Sequence, residues 1–213
     1  MKIEFKSILP NPLKDSVQVE NSVWGNYFEW NAPQNVLLNA VSGKGKSTFV
    51  GVLSGIRFDF EGDLVINTKS TREFSSQDWT EFRATLIATV YQDLQLFLEL
   101  TILENLQVKN NLTNHFSEEK LLALIDEVGL TPHISKKCKI LSLGQQQRVA
   151  ILRALCQPFK LLVMDEPFSH LDKENEGVIV ELLKRELKAN QAGLIMTTLG
   201  EVPELNFSNE IVI

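Results

Sequence analysis

The sequence predicts an α/β protein built on a largely parallel β-sheet. Three observations carry this. Short apolar runs alternate along the chain with longer stretches whose apolar residues recur at helical spacing. One apolar run, residues 35–41, passes through a glycine-containing bend into a helical stretch that begins at Ser47. Another, starting at Lys160, runs straight into two carboxylates, Asp165 and Glu166.

Residues 2–8 alternate charged and apolar side chains, the period of an edge or half-buried strand, and Pro10-Asn11-Pro12 breaks it. Val17, Val19, Val23, Tyr27, Phe28 and Trp30 mark one or two further strands, with Trp24 and Trp30 as packed aromatics. Strand 35–41 and a helix from Ser47 to Leu53 follow, then a turn region from Gly55 to Gly62 and a short strand over 63–67. Ser76-Gln77-Asp78 caps a helix through Trp79, Phe82 and Leu86. Residues 86–91 form a buried strand that ends at Gln92. A short helix spans 100–106. A second helix opens at Ser117, carries a packing stripe of Leu121, Leu124, Ile125 and Val128, and closes at Gly129. Ser142 caps a helix reaching Leu155, with Val149, Leu152 and Leu155 on one face. Then come a buried strand from Lys160 into Asp165-Glu166-Pro167, a charged amphipathic helix over 173–190, a strand over 193–198 and a last strand over 210–213.

A chain of 213 residues can bury one sizeable α/β core, with or without an inserted subdomain. Its net charge of −6 and lack of a Lys/Arg block argue against nucleic acid as the main partner. No stretch approaches the roughly 18 apolar residues of a membrane span, and Met1-Lys2-Ile3-Glu4-Phe5-Lys6 lacks the apolar core of a signal peptide. Cys138 and Cys156 make neither a disulfide framework nor a metal site; they read as reduced thiols of a cytoplasmic protein, Cys156 packed in a helix. His115, His133 and His170 read as surface residues.

The chemistry collects at two places. Strand, glycine bend and helix make Ala40-Val41-Ser42-Gly43-Lys44-Gly45-Lys46-Ser47-Thr48 a phosphate-binding loop. Backbone N–H groups converge there, and the new helix points its positive dipole end at the same spot. Lys46 adds a full charge for the β- and γ-phosphates, and Ser47 offers a hydroxyl to a phosphate-bound Mg²⁺. Ala40 stands where the motif has its first glycine; if that residue must take positive φ, alanine costs about 1 kcal/mol. Asp165 and Glu166 sit at the carboxyl end of a parallel strand, where such sheets bind ligands. Asp165 is placed to contact Mg²⁺, directly or through water, and Glu166 to polarise a water aimed at the γ-phosphate.

Further ordered stretches make a resemblance specific. Val90-Tyr91-Gln92-Asp93-Leu94, followed by Leu96-Phe97 and Leu100-Thr101-Ile102-Leu103-Glu104-Asn105, resembles a Q-loop. Leu141-Ser142-Leu143-Gly144-Gln145-Gln146-Gln147-Arg148-Val149 resembles the signature L-S-G-G-Q-x-Q-R-V. Ser169-His170-Leu171-Asp172 resembles a D-loop. With residues 40–48 as Walker A and 161–167 as Walker B, the chain resembles the ATP-binding subunit of an ABC transporter over nearly its whole length.

The resemblance implies a P-loop NTPase core with a mostly parallel sheet, an antiparallel β subdomain and an inserted helical subdomain. Residues 1–213 would be one ABC ATPase domain: 1–92 and 139–213 the catalytic core with its β subdomain, 93–138 the helical subdomain. It implies ATP and Mg²⁺, with Glu166 and Gln92 catalytic and Ser47, Gln92 and Asp165 serving the metal. Ser42, Gly43, Lys44, Gly45, Lys46, Ser47, Thr48, Ser142, Gly144, Gln145 and Asp172 would bind nucleotide. Two subunits, identical or different, would pack head to tail around two ATP, the second supplying Ser142 and its helix N-terminus. A membrane-spanning partner would dock on the helical subdomain and hold the chain at the inner face of the cell membrane. No nucleic acid is expected as a partner. The run from Tyr91 to Leu96 resembles small ATPases of exporters and lipoprotein-release machines more than those of large importers, and no C-terminal regulatory domain is expected after the last strand.

Departures set the open alternatives. Ala40 and Leu143 replace glycines, Leu199 stands where the family has its switch histidine, and the segment that should carry the adenine-stacking aromatic, Ile8 to Leu13, offers only Ile, Leu and Pro among its apolar residues. A slow or atypical ATPase is the favoured reading, because Lys46, Ser47, Gln92, Asp165 and Glu166 are all present. A hydrolysis-deficient switch subunit of a heterodimer is a second. A soluble ABC ATPase acting on ribosomes, DNA or cofactor assembly is a third. A nucleotide kinase has no reason to carry the Leu-Ser-x-Gly-Gln-Gln-Gln-Arg stretch.

Overall fold

The computed structural model describes residues 1–15, 22–39, 45–198 and 202–213. In chain order the elements are β1 (Lys2–Pro10), β2 (Tyr27–Asn31), β3 (Asn35–Asn39), α1 (Lys46–Leu53), β4 (Phe60–Ile66), β5 (Lys69–Ser70), α2 (Ser76–Thr85) and β6 (Ile87–Val90). There follow α3 (Ile102–Asn110), α4 (Glu118–Glu127), α5 (Leu143–Leu155), β7 (Leu161–Asp165), α6 (Lys173–Asn190), β8 (Gly193–Thr198) and β9 (Asn209–Val212).

The strands form two sheets. One is parallel, in the order β6-β7-β8-β3-β9; the other is antiparallel, in the order β2-β1-β4-β5. Side-chain alternation along each parallel strand serves both faces of that sheet. Leu162 and Met164 of β7, Leu194 and Met196 of β8 and Leu37 of β3 join a core built with residues of α3, α4, α5 and α6. Their neighbours Leu161, Val163, Ile195, Val36 and Leu38 join a second core with α1, α2 and the antiparallel sheet. The parallel sheet is therefore a middle layer, and every strand of it that ends near the site is anchored on two sides.

Some expectations change. β1 is not an edge: Phe5 pairs with Phe28 of β2 on one side and Leu64 of β4 on the other. Its half-buried alternation reflects one covered face, not one missing neighbour. The pairing of Pro10 with Phe60 also extends β4 three residues ahead of the expected Asp63. A register shift between Lys6 and Leu9 puts Ser7 at φ 53, and a Cβ on Gly62 would lie 2.2 Å from the Ser7 carbonyl, so the bulge and the glycine require each other. Trp24 lies in a turn rather than a strand, though it is fully buried like Trp30. The expected strand residues Val17 and Val19 lie outside the described residues.

Helix ends follow local chemistry. Ser75, not Ser76, caps α2 in a capping box with Asp78. Thr101 and Glu104 do the same for α3, and Ser117 caps α4. His115 and His133 are half-buried rather than surface residues; Nε2 of the first and Nδ1 of the second are buried without a hydrogen-bond partner. Cys138 and Cys156 are unpaired and buried, and burial pushes their thiols up to about 11 and about 12. Among the described residues no helix is long and apolar enough to cross a membrane.

Candidate functional site

Helix α1 begins directly after Gly45, whose φ of 107 is one that side chains rarely adopt. A Cβ there would also lie 2.7 Å from Leu13 Cδ1 and 3.0 Å from Trp24 Nε1, so those side chains would have to shift as well. Of the expected phosphate-loop residues, Ser42, Gly43 and Lys44 lie outside the described residues, as do Ala40 and Leu199; Gly45, Lys46, Ser47 and Thr48 are described.

β7 is separated from β3 by β8, so the strand feeding α1 and the strand carrying the acids are two places apart. α1 spans that gap and packs against β7. There Ser47 Oγ donates to Asp165 Oδ2 at 2.8 Å. Lys46 Nζ lies 3.4 Å from Glu166 Oε1, both side chains largely buried. From the end of β6, Gln92 Nε2 donates to Glu166 Oε2 at 3.3 Å. Thr48 is engaged elsewhere: its hydroxyl accepts from Arg57 Nη1 at 3.2 Å. Thus Lys46, Ser47, Gln92, Asp165 and Glu166 form one connected group.

The other expected residues gather at the start of α5. Ser142 Oγ accepts from the Gln145 N–H at 3.3 Å and the Ser142 N–H donates to Gln145 Oε1 at 3.0 Å, a reciprocal capping box. A Cβ on Gly144 would lie 2.6 Å from the His170 carbonyl, so only glycine lets these two segments touch. Asp172 caps α6, accepting from the Asn175 N–H at 2.9 Å, and that bond leads in holding its carboxyl below the usual range. Leu143 points outward, 56% exposed.

Two residues the sequence reading gave no role tie these groups together. Gln147 is buried; its Nε2 donates to the Glu166 carbonyl at 3.1 Å and its Oε1 accepts from the His170 N–H at 3.2 Å. Thr197, also buried, donates to Asp165 Oδ1 at 2.6 Å and accepts from the Glu166 N–H at 3.0 Å. Gln147 had a signal, since it sits inside the signature-like stretch. A threonine in an apolar strand had none.

A layered α/β fold in which a glycine-started helix brings Lys and Ser against an Asp-Glu pair at the end of a parallel strand defines a P-loop NTPase. Comparison narrows the class. Residues 27–169 match the family model described as ABC transporter. The ATP-binding protein HrtA of Staphylococcus epidermidis, named for hemin import, is 33% identical over 177 residues, covering 82% of this chain and 79% of its own. The lipoprotein-releasing system ATP-binding protein LolD 2 of Rhodopseudomonas palustris is 32% identical over 170 residues, covering 78% and 73%. The dimeric structure of MJ0796, a bacterial ABC transporter cassette, superposes with a TM-score of 0.79 at 25% identity, covering 93% of this chain and 88% of that one. A second structure of MJ0796, in a post-hydrolysis state with ADP and Pi, gives 0.76. The chain belongs to the ABC transporter family, as an ATP-binding subunit.

Proposed function

We propose that this chain hydrolyses ATP to drive a membrane transporter, working as one half of a head-to-tail dimer that closes on two ATP. The observation that carries the reading is the joining of Ser47 to Asp165 and of Lys46 and Gln92 to Glu166 in one group. Residues 42–48 cradle the phosphates, with Lys46 on the β- and γ-oxygens. Ser47 and Asp165 fit Mg²⁺: one hydroxyl beside one carboxylate is the sparse oxygen set that ion accepts when phosphates complete its shell. Bound there, the ion would neutralise charge on the phosphates. Glu166 takes a proton from the attacking water, and Gln92 orients that water. Ser142, Gly144, Gln145 and Asp172 serve the ATP of the other subunit, in keeping with the dimeric state of MJ0796. Ala40, Leu143 and Leu199 slow the reaction.

Residues 93–138 form the helical subdomain against which the membrane partner docks. Beside it lies a cleft of about 250 Å³ lined by Arg83, Tyr91, Phe97, Lys109, Leu112 and Arg153, among others. The three cations donate to backbone carbonyls, and among the described residues none is paired with a carboxylate. An apolar segment bearing an acidic residue complements such a cleft. Arg153 also holds the carbonyls of Leu94 and Gln95, both at positive φ, so a carboxylate that draws on Arg153 acts on the segment after Gln92. The names of relatives cover hemin import, phosphonate import and lipoprotein release, and the cargo here is left to the membrane subunit.

Steady-state hydrolysis by the pure protein against Glu166→Gln tests the reading. Loss of about 100-fold or more in turnover, with ATP still bound, is expected for removal of a general base. Equal background rates in both proteins would transfer the chain to the non-hydrolytic switch class.

A further inference from the structure

Along a regular strand, consecutive side chains point to opposite faces. Asp165 and Glu166 are consecutive, yet both carboxylates reach residues of the same group, Ser47 for one and Lys46 and Gln92 for the other. The backbone at Glu166 explains this: its φ is 50, the left-handed region. A non-glycine residue persists there only when its surroundings hold it. Glu166 is held at both ends, its N–H by Thr197 Oγ and its carbonyl by Gln147 Nε2.

Thr197 lies directly opposite Asp165 in the parallel register of β7 and β8, and its side chain is fully buried. A peptide N–H can only donate and an ionised carboxylate can only accept. The single hydroxyl proton is therefore committed: Glu166 N–H donates to Thr197 Oγ, and Thr197 O–H donates to Asp165 Oδ1. With Ser47 on Oδ2, each oxygen of Asp165 has its own hydroxyl.

We propose that Thr197 is a positioning residue of this site, one hydroxyl that orients the Asp165 carboxylate and pins the Glu166 amide so that both acids face the same edge. Valine would fill the same space in a buried strand; what it lacks is the link between the two acids. The kinetic consequence rests on the reading of Glu166 given above, whereas the structural one does not.

The test compares Thr197→Val with Thr197→Ser. In the nucleotide-free protein, Thr197→Val should speed hydrogen exchange of the Glu166 amide by about 10-fold or more, as a buried donor loses its acceptor, while Thr197→Ser stays within about 3-fold of the parent. In steady state, Thr197→Val should lower kcat about 10- to 100-fold, with KM for ATP changed by less than about 3-fold, and serine should restore most of the loss. Parental exchange and parental kcat in Thr197→Val would overturn the proposal. So would a serine variant as impaired as the valine one, since that assigns the effect to packing. Should Glu166→Gln prove fully active, the reading of Glu166 fails by itself, and the amide-exchange comparison still decides whether Thr197 holds the turn.

Discussion

The starts of α1 and α5, two of the helix N-termini at the site, are built in opposite ways. Any helix start leaves N–H groups without an internal partner and draws anions. At α5 the chain supplies its own acceptors, since Ser142 and Gln145 cap each other's backbone. At α1 the residue in the capping place is Gly45, which has no side chain to offer. Under the function proposed here, the difference bears on where affinity resides in a single subunit. Among the described residues, no capping side chain occupies the donors at α1 that a phosphate would meet. One reaching α5 finds the Gln145 N–H already taken by Ser142 Oγ and must compete for it. Such an end suits a group that joins late, from across an interface, to phosphates already held.

The comparison breaks most visibly at Lys46. Lys46→Ala should weaken ATP binding by the monomer about 10- to 100-fold, the worth of a charge-assisted contact, whereas Ser142→Ala should change it by less than about 2-fold. Calorimetric titration of both variants checks this, and similar losses would mean the two helix starts are equivalent. Gly144→Ala comes next. The added methyl would press on the His170 carbonyl from 2.6 Å, costing about 1–3 kcal/mol as backbone shifts and lowering Tm by about 2–4 °C per kcal/mol. An unchanged melting curve would show that α5 moves freely against the segment before α6. The smallest effect is expected at Leu143. Its side chain is outward, so Leu143→Gly should cost no more than about 1 kcal/mol of helix propensity. It should also raise ATP-dependent dimerisation, read by sedimentation. No gain would place the limit at Leu199 or Ala40 instead.

Periodicity made long elements legible. The expected 173–190 helix and 193–198 strand coincide with α6 and β8, because each pattern is local and repeats over several turns or residues. What depended on distant chain was hidden. β1 reads equally as an edge or a half-buried strand until β2 and β4 are set on either side of it, and β4 lengthens only through Leu9 and Pro10. Ser75 and Ser76 are the same residue type one place apart, and the register of Asp78 chose between them. In the site, Lys46, Ser47, Asp165 and Glu166 stood out because their residue types are chemically demanding, and Gln92 through the resemblance to a Q-loop. Thr197 did not, since threonine is favoured in strands for steric reasons alone. The half-buried rings of His115 and His133 likewise depend on packing that no local pattern encodes.

The contact between Lys46 and Glu166 acts as a safety catch under the function proposed here. While the ammonium neutralises the carboxylate, the base is tied to the residue that must hold the phosphate. A nucleotide that draws Lys46 to its phosphates releases Glu166 from the ammonium in the same movement, leaving it the Gln92 contact. Loading and arming become a single event.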